Sequence, residues 1–207
     1  LAQYDLEIKP SKTKVVNTLH EYDGNKPGFD FLGFNIRQYP VGKYQSGKNT
    51  YGKPLGFKTL IKPSSSNIKT HIEKISKTCQ IHNSATQKVL ISKLTPIIRG
   101  WCNYYKTVVS KDIFSKLSHI TYLRLLQWAK RRHPNKNIRW VVNKYWTTIG
   151  GDNWVFGEGS EINLIRHSKV AIKRHTKVKG NKSPFDGDAT YWGSRMGKHP
   201  ELKTSIA

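Results

Sequence analysis

Leu94-Thr-Pro-Ile-Ile-Arg-Gly-Trp-Cys-Asn-Tyr-Tyr105 combines apolar, aromatic and basic side chains within one short stretch. Placed on a helix, its large apolar side chains share one face: Leu94, Ile97, Ile98, Trp101 and Tyr105. The opposite side carries smaller and polar groups: Thr95, Arg99, Cys102, Asn103 and Lys106. We therefore expect a helix that joins an apolar core to a basic, aromatic-edged surface.

Amphipathic helices are predicted on both sides of this stretch. Upstream, Ser64–Asn67 supplies N-cap candidates for a helix whose apolar line is Ile68, Ile72, Ile75 and Cys79. The central helix should run from about Ala85 to Tyr105, with Pro96 kinking or dividing it. Downstream, Ser110 caps a helix with its own buried line: Phe114, Leu117, Thr121, Leu125 and Trp128. Three such helices joined by short loops form a small antiparallel bundle.

Shorter elements flank the predicted bundle. Phe29–Ile36 carries apolar groups on both faces, which predicts one strand buried on two sides, and Gly33 permits close approach by a neighbour. The other expected elements are a strand at Phe57–Ile61, a fourth helix at Ile138–Tyr145 with Trp140 and Tyr145 exposed or half-buried, and short strands at Trp154–Phe156 and Ile162–Ile165. The predicted fold class is α+β, mainly helical.

The charge is large and unevenly distributed. The formal net charge is +23, and from Phe31 to Gly151 there are 22 Lys and Arg residues against two acids, Glu73 and Asp112, a surplus of 22 − 2 = 20. Positive charges packed on a compact protein repel one another unless a polyanion neutralises them. A basic surface that served only solubility is less favoured, because surfaces of mixed charge give solubility with less repulsion. Nucleic acid is the first candidate partner and an anionic membrane surface the second. No stretch is apolar enough to span a bilayer, which favours nucleic acid.

The cysteines and the first residues predict a reducing compartment. Cys79 and Cys102 lie in helical patterns, which favours buried, reduced thiols over a disulfide. Leu1–Pro10 contains neither the hydrophobic run of a signal peptide nor an initiating methionine. We therefore expect a fragment of a larger intracellular protein, which would be cytoplasmic or nucleoid-associated, or organellar in a eukaryote.

Several blocks of the sequence resemble, in the same order, the C-terminal half of group II intron-encoded proteins, which are reverse transcriptases and maturases. The blocks are Leu6–Thr13, Phe31–Phe34, Ile61–Ser64, Leu94–Tyr105 and Trp128–His133. The resemblance thins beyond about residue 190, and Ile97–Tyr105 is its most specific block. It implies three parts: the β-rich end of a polymerase palm at 1–57, a thumb or maturase (X) domain of three helices at 58–133, and a basic D-like DNA-binding region with little regular structure and a partly ordered tail at 134–207.

The sequence departs from this family where the family's polymerase holds metal. There, a Tyr-Ala-Asp-Asp turn binds two magnesium ions that activate the primer hydroxyl and stabilise the leaving group. No adjacent aspartates occur here, and Asp186-Gly187-Asp188 follows the predicted thumb, where that turn does not belong. The eight histidines also lack metal-binding spacing. We therefore expect no catalytic residue, metal site or cofactor in this chain and no polymerase activity from it alone, although the parent resembles an RNA-directed DNA polymerase that uses Mg²⁺.

Structured RNA is bound through phosphates, 2′-hydroxyls and shape, with aromatic side chains stacking on unpaired bases. The side chains expected to contact RNA are Lys12, Lys58, Lys62, Lys69, Arg99, Asn103, Tyr104, Lys106, Lys130, Arg131, Arg132 and His133. Structural roles stay open for several of them: core packing for Tyr104, a buried hydrogen bond for Arg99, and a solvated helix end for Lys130–Arg132. A glycine within a helix, Gly100, indicates close approach by another backbone, either a helix or a nucleic-acid strand.

The D-like region is expected to contact duplex DNA backbone without strong base readout. The residues expected to do so are Arg139, Lys144, Lys169, Lys173, Arg174 and Lys177. The implied partners are group II intron RNA, the template–primer duplex, target DNA, and the fingers and palm of the reverse transcriptase. The leading hypothesis is that the chain binds intron RNA to assist splicing and holds template–primer and target DNA during retrohoming. The alternatives are an RNA-organised structural subunit of a larger particle and one half of a split, active reverse transcriptase.

Overall fold

The computed structural model describes residue 13 and residues 15–49, 51–173, 178–180 and 182–198. The chain divides into two compact units, Leu1–Arg174 and His175–Ala207. Over the described ranges the fold is α+β, with five helices and two small antiparallel sheets, which confirms the predicted fold class. No helix within those ranges is long and apolar enough to cross a membrane.

The described part of the first unit contains a three-stranded sheet in the order β1-β2-β3, followed by four helices. The strands are β1 (Phe29–Phe31), β2 (Phe34–Pro40) and β3 (Phe57–Pro63). The helices are α1 (Ser65–Ile81), α2 (Gln87–Tyr105), α3 (Lys111–Arg132) and α4 (Ile138–Tyr145). A two-stranded sheet and a 3₁₀ turn follow: β4 (Trp146–Ile149), β5 (Asp152–Phe156) and His167–Lys169.

The prediction of a single strand over Phe29–Ile36 is wrong, because the chain reverses direction at Leu32-Gly33. Phe31 pairs with Phe34 across a two-residue turn, and φ is positive at both turn residues, 47° and 81°. Two positive φ values in succession are typical of the tight turns that match the twist of a hairpin. The expected close approach at Gly33 is confirmed: a Cβ there would lie 2.6 Å from Asn67 Nδ2 and 2.9 Å from the Tyr105 hydroxyl.

The three predicted helices are present. Two of them begin with a side-chain cap, whereas the prediction that Ser110 caps α3 is wrong, because its hydroxyl donates to Tyr105 O instead. The Ser64 hydroxyl accepts a hydrogen bond from Asn67 N, and the Thr86 hydroxyl accepts one from Val89 N. All five residues of the predicted apolar line of α3 are buried: Phe114, Leu117, Thr121, Leu125 and Trp128. One continuous core joins α1–α4 to the small sheet β4–β5.

Several local predictions are wrong. Cys102 is buried, because the apolar face of α2 is wider than the sequence pattern indicated, and Tyr145, which was expected to be exposed or half-buried, is buried as well. Pro96 does not divide α2; the carbonyl at Ser92 that loses its partner lies on the exposed side of the helix. The expected strand over 162–165 makes only one isolated bridge, and β5 pairs instead with β4, which the sequence did not predict. Both cysteines are free and buried, which confirms the reduced thiols.

The second unit contains a short helix, α5 (Ala189–Lys198), where the sequence indicated weak patterning. The Asp188 carboxylate accepts a hydrogen bond from Tyr191 N, 2.9 Å away, and so satisfies one of the free amides at the start of the helix. Lys182 pairs with both Asp186 and Asp188. These aspartates therefore hold a loop and a helix start together.

Candidate nucleic-acid interface

An open groove runs along the exposed side of α2, and it is defined here as the α2 groove. Its α2 wall is Lys88, Ile91, Ser92, Thr95, Pro96, Arg99, Gly100 and Asn103, and its far wall is Glu161, Ile162 and Asn163. The sequence placed Arg99 and Asn103 on this side, and both are exposed. Since they are four residues apart on one helix, their side chains project from adjacent turns along the groove. Arg99 therefore does not make the buried hydrogen bond left open above.

Gly100 lies on the exposed wall of this groove, and no atom of the described residues approaches the place where a side chain would be. A Cβ built at Gly100 would meet nothing within 4 Å. A glycine inside a helix destabilises it by about 1 kcal/mol relative to alanine. The protein-helix explanation for Gly100 is therefore wrong, and close approach by a nucleic-acid strand stays a prediction.

Tyr104 and Tyr105, at the end of α2, hold the β1–β2 hairpin against the helix. The Tyr104 hydroxyl donates to Leu32 O at 2.8 Å, and the Tyr105 hydroxyl donates to Gly33 O at 3.0 Å. The Tyr104 ring stacks on Phe34 with a centroid distance of 5.0 Å. Burial, followed by the proximity of Tyr104, raises the pKa of Tyr105, which keeps this hydroxyl protonated as a donor. Half of Tyr104 is exposed, so its outer ring face is open while its hydroxyl is engaged.

The basic end of α3 divides into an exposed part and a structural part. Lys130 and Arg131 are exposed. Arg132 instead donates from Nη1 to Asn83 O at 3.0 Å and to Ala85 O at 2.7 Å. Its guanidinium also lies 4.7 Å from the centre of the Trp128 ring. Arg132 thus fastens the loop between α1 and α2 to α3, and only its neighbours face solvent freely.

A second basic and aromatic cluster lies where α3 gives way to α4, and it is defined here as the α4 platform: His133, Lys136, Trp140 and Lys144. The Nζ atoms of Lys136 and Lys144 each lie 5.3 Å from the centre of the Trp140 ring. His133 Nε2 forms a 2.8 Å hydrogen bond with the Tyr145 hydroxyl. Desolvation, and then the charges of Lys144, Arg132 and Lys136, lowers the pKa of His133.

The α2 wall of the groove and the whole α4 platform lie within one stretch that matches a known protein family. Residues 68–146 match the group II intron, maturase-specific domain. The match implies a function related to group II intron splicing, with group II intron RNA as a partner. It confirms the maturase part of the resemblance, while the palm part and the DNA-binding part stay predictions. A search of curated proteins found no match to the chain.

The other residues predicted to bind RNA lie both inside and outside the maturase-specific match. Lys58 and Lys69 are exposed, and Lys62 is half-buried with Nζ 4.9 Å from the centre of the Tyr39 ring. Lys106 is half-buried, and its Nζ donates to Asn103 Oδ1 at 3.2 Å. Lys12 lies outside the described residues. Lys62 and Lys106 therefore contact other side chains of the protein, whereas Lys58 and Lys69 face solvent.

The residues predicted to bind DNA are not gathered at one place. Arg139 and Lys144 are exposed on α4, within the maturase-specific match. Lys169 lies after it and pairs with Asp152 at 3.0 Å. The backbone of Lys173 donates to Lys106 O at 2.8 Å. Arg174 and Lys177 lie outside the described residues.

Sequence patterns missed some members of both sites and one buried pair. Lys88, Asn163 and Lys136 carry no pattern of their own, although the four-residue spacing of Trp140 and Lys144 was a usable signal for one helix face. His71 and His167 lie 96 positions apart, yet their Nε2 atoms are 2.8 Å apart in the core. Among the described residues there is no cluster of three or more His, Cys, Asp or Glu that could hold a metal ion.

Proposed function

We propose that this chain binds group II intron RNA through the α2 groove and the exposed end of α3, and that this binding assists splicing of the intron. The observation that carries the proposal is the maturase-specific match over helices whose solvent side holds basic residues, Arg99, Lys130 and Arg131 among them. Exposed cations on packed helices suit the phosphates of folded RNA, which is recognised mainly by its shape and backbone. The binding would need no cofactor in this chain.

Contacts with the template–primer duplex and target DNA during retrohoming form the second part of the proposal. They rest on the predicted palm and D-like regions and on a partner polypeptide that supplies the fingers and the rest of the palm. Mg²⁺ would serve the polymerase of that parent protein, since this chain has no adjacent aspartates.

A salt titration of RNA binding by the whole chain tests the first part. Each neutralised phosphate contributes about 0.7–0.9 to the slope of log affinity against log salt. Arg99→Gln should weaken binding and lower the slope by about one. Lys53→Gln is the matched control, because it removes the same charge from the exposed loop before β3 and should leave the slope within error of wild type.

Splicing of a group II intron RNA, measured with and without the chain, links this binding to function. We expect the wild-type chain to raise the spliced fraction and Arg99→Gln to raise it less than Lys53→Gln does. A flat salt titration, or equal behaviour of the two variants, would refute the proposal that the α2 groove binds RNA.

A further inference from the structure

We propose that the α4 platform binds one unpaired RNA nucleotide, with the base stacked on Trp140 and the adjoining phosphates held by Lys136 and Lys144. The inference deepens the proposed function and rests on it, because it names a second place at which intron RNA would be held and the kind of nucleotide held there. Lys136 was not among the residues expected from the sequence to contact nucleic acid.

The Trp140 ring is exposed and its surroundings hold it in place. Its residue exposure is 37%, although tryptophan rings usually contribute to cores. The Asn137 side chain accepts from Trp140 N at 2.8 Å, which fixes the start of α4. His133 meets the ring edge-on, with a centroid distance of 4.9 Å and an interplanar angle of 71°. Since His133 is itself bonded to Tyr145, the ring is positioned before any ligand arrives.

The lysines around the ring have no acidic partner among the described residues. The chain contains no Asp or Glu between Asp112 and Asp152. None of the ion pairs of the described residues involves Lys136 or Lys144. Two ammonium groups held close to one ring repel each other, and a phosphate between them would relieve that repulsion. Because lysine side chains are flexible, each can move from the ring towards a phosphate when a base takes its place.

An aromatic ring flanked by cations selects an unpaired nucleotide over a duplex. Stacking needs an open base face, which single strands, bulges and loops offer and which a continuous duplex hides within its own stack. The family match runs to residue 146 and so includes α4 in the maturase-specific segment. That inclusion favours RNA as the ligand of Lys144, in place of the duplex DNA predicted from the sequence.

Binding of three ligands of equal length by the whole chain tests the platform: a single-stranded RNA, the same RNA paired with its complement, and duplex DNA. Trp140→Ala should weaken binding of the single strand roughly tenfold and change duplex binding by less than about twofold, because stacking is lost only where a base face is open. Trp140→Phe keeps a stacking face and should retain most of the affinity. Trp154→Ala is the matched control, since Trp154 is exposed on β5 and lies outside the platform. Lys144→Gln should lower the salt slope for the single strand by about one.

The outcomes separate this inference from the proposed function. If wild-type binding to RNA depends on salt as proposed but Trp140→Ala binds the single strand as wild type does, the platform is refuted and the proposed function stands. An equal loss on single and paired RNA would also refute it, since stacking on an open base would not explain that result. A loss confined to duplex DNA would assign the platform to DNA. Thermal unfolding of each variant, with Trp140→Phe as the milder replacement, shows whether any loss comes from misfolding.

Discussion

Acidification should destabilise the first unit through the buried pair His71 and His167. Their exposed fractions are 4% and 0%. Burial lowers the pKa of His71 to about 4, with a smaller contribution from the charge of Lys74. Burial lowers the pKa of His167 to about 3, with a smaller contribution from His71. Because the ordinary histidine pKa is 6.5, the unfolded chain binds protons at pH 5 that the folded chain excludes. Stability is therefore complete above about pH 6.5 and declines as pH falls towards the folded values.

The size of the loss follows from the two pKa values of each residue. One pKa unit corresponds to about 1.4 kcal/mol, so protonation of one such histidine in the unfolded chain lowers the free energy of unfolding at pH 5 by about 2 kcal/mol. Two independent histidines would give about 4 kcal/mol. The shared hydrogen bond couples the two titrations, so we expect a loss between about 2 and 4 kcal/mol from pH 7.5 to pH 5.

Urea unfolding followed by circular dichroism at the two pH values measures this loss. The control is the double variant His71→Phe/His167→Phe, because phenylalanine preserves ring packing against Trp101, whose centroid lies 4.7 Å from that of His71, and cannot titrate. Replacing both members of a hydrogen-bonded pair by apolar groups leaves no unpaired partner behind. The double variant should lose less than about 1 kcal/mol over the same interval. Equal losses in the two proteins would refute the reasoning and would assign acid lability to the repulsion of a chain with charge +23.

Further predictions concern stability and are checked by thermal or urea unfolding. Gly33→Ala should destabilise the first unit by about 2 kcal/mol or more, because φ is positive and the new Cβ would clash. Gly100→Ala should stabilise it by about 1 kcal/mol, because nothing lies near the new Cβ. A stabilising Gly33→Ala and a destabilising Gly100→Ala would contradict this reasoning. Arg132→Gln should lower the free energy of unfolding by about 1.5–3 kcal/mol, because the charged hydrogen bonds of Arg132 to two loop carbonyls are lost. Arg131→Gln changes an exposed side chain and should leave the free energy of unfolding within about 0.5 kcal/mol of wild type. Tyr105→Phe should lower the free energy of unfolding by about 0.5–1 kcal/mol. The loss is small because Gly33 O also accepts a hydrogen bond from Ser64 N. No measurable change would show that the Tyr105 hydrogen bond does not stabilise the hairpin.

The helices α1–α4 could be predicted from the sequence because their apolar side chains repeat at helical spacing. The line of α3 from Phe114 to Trp128 repeats at helical spacing, and α4 begins and ends where the pattern indicated. The hairpin at Leu32-Gly33 could not be predicted in the same way. Its strands are short, and the turn depends on a positive φ at leucine, a residue that rarely adopts one.

The sequence predicted only those residues of the candidate site that lie together on a single helix. Arg99 and Asn103 share a face of α2, so helical spacing alone placed them on the same surface. Contacts between distant segments left no local pattern: the bond from Arg132 to the loop carbonyls and the pairing of His71 with His167 depend on how helices pack. For the same reason, the sequence could not separate Arg132, which is structural, from exposed Arg131.

The way this bundle is held together explains how it tolerates so few acidic residues. Several of its buried and half-buried polar side chains donate to backbone carbonyls: Gln87 to Tyr145 O, Trp128 to His82 O, Arg132 to Asn83 O and Ala85 O, and Ser110 to Tyr105 O. The described ion pairs instead gather at Asp152 and in the second unit, and none lies within α1–α4. A polyanion can therefore bind the cations of α2 and α4 without first breaking an internal ion pair. The same arrangement leaves those cations to repel one another in the free protein, so the free energy of binding includes the relief of that repulsion.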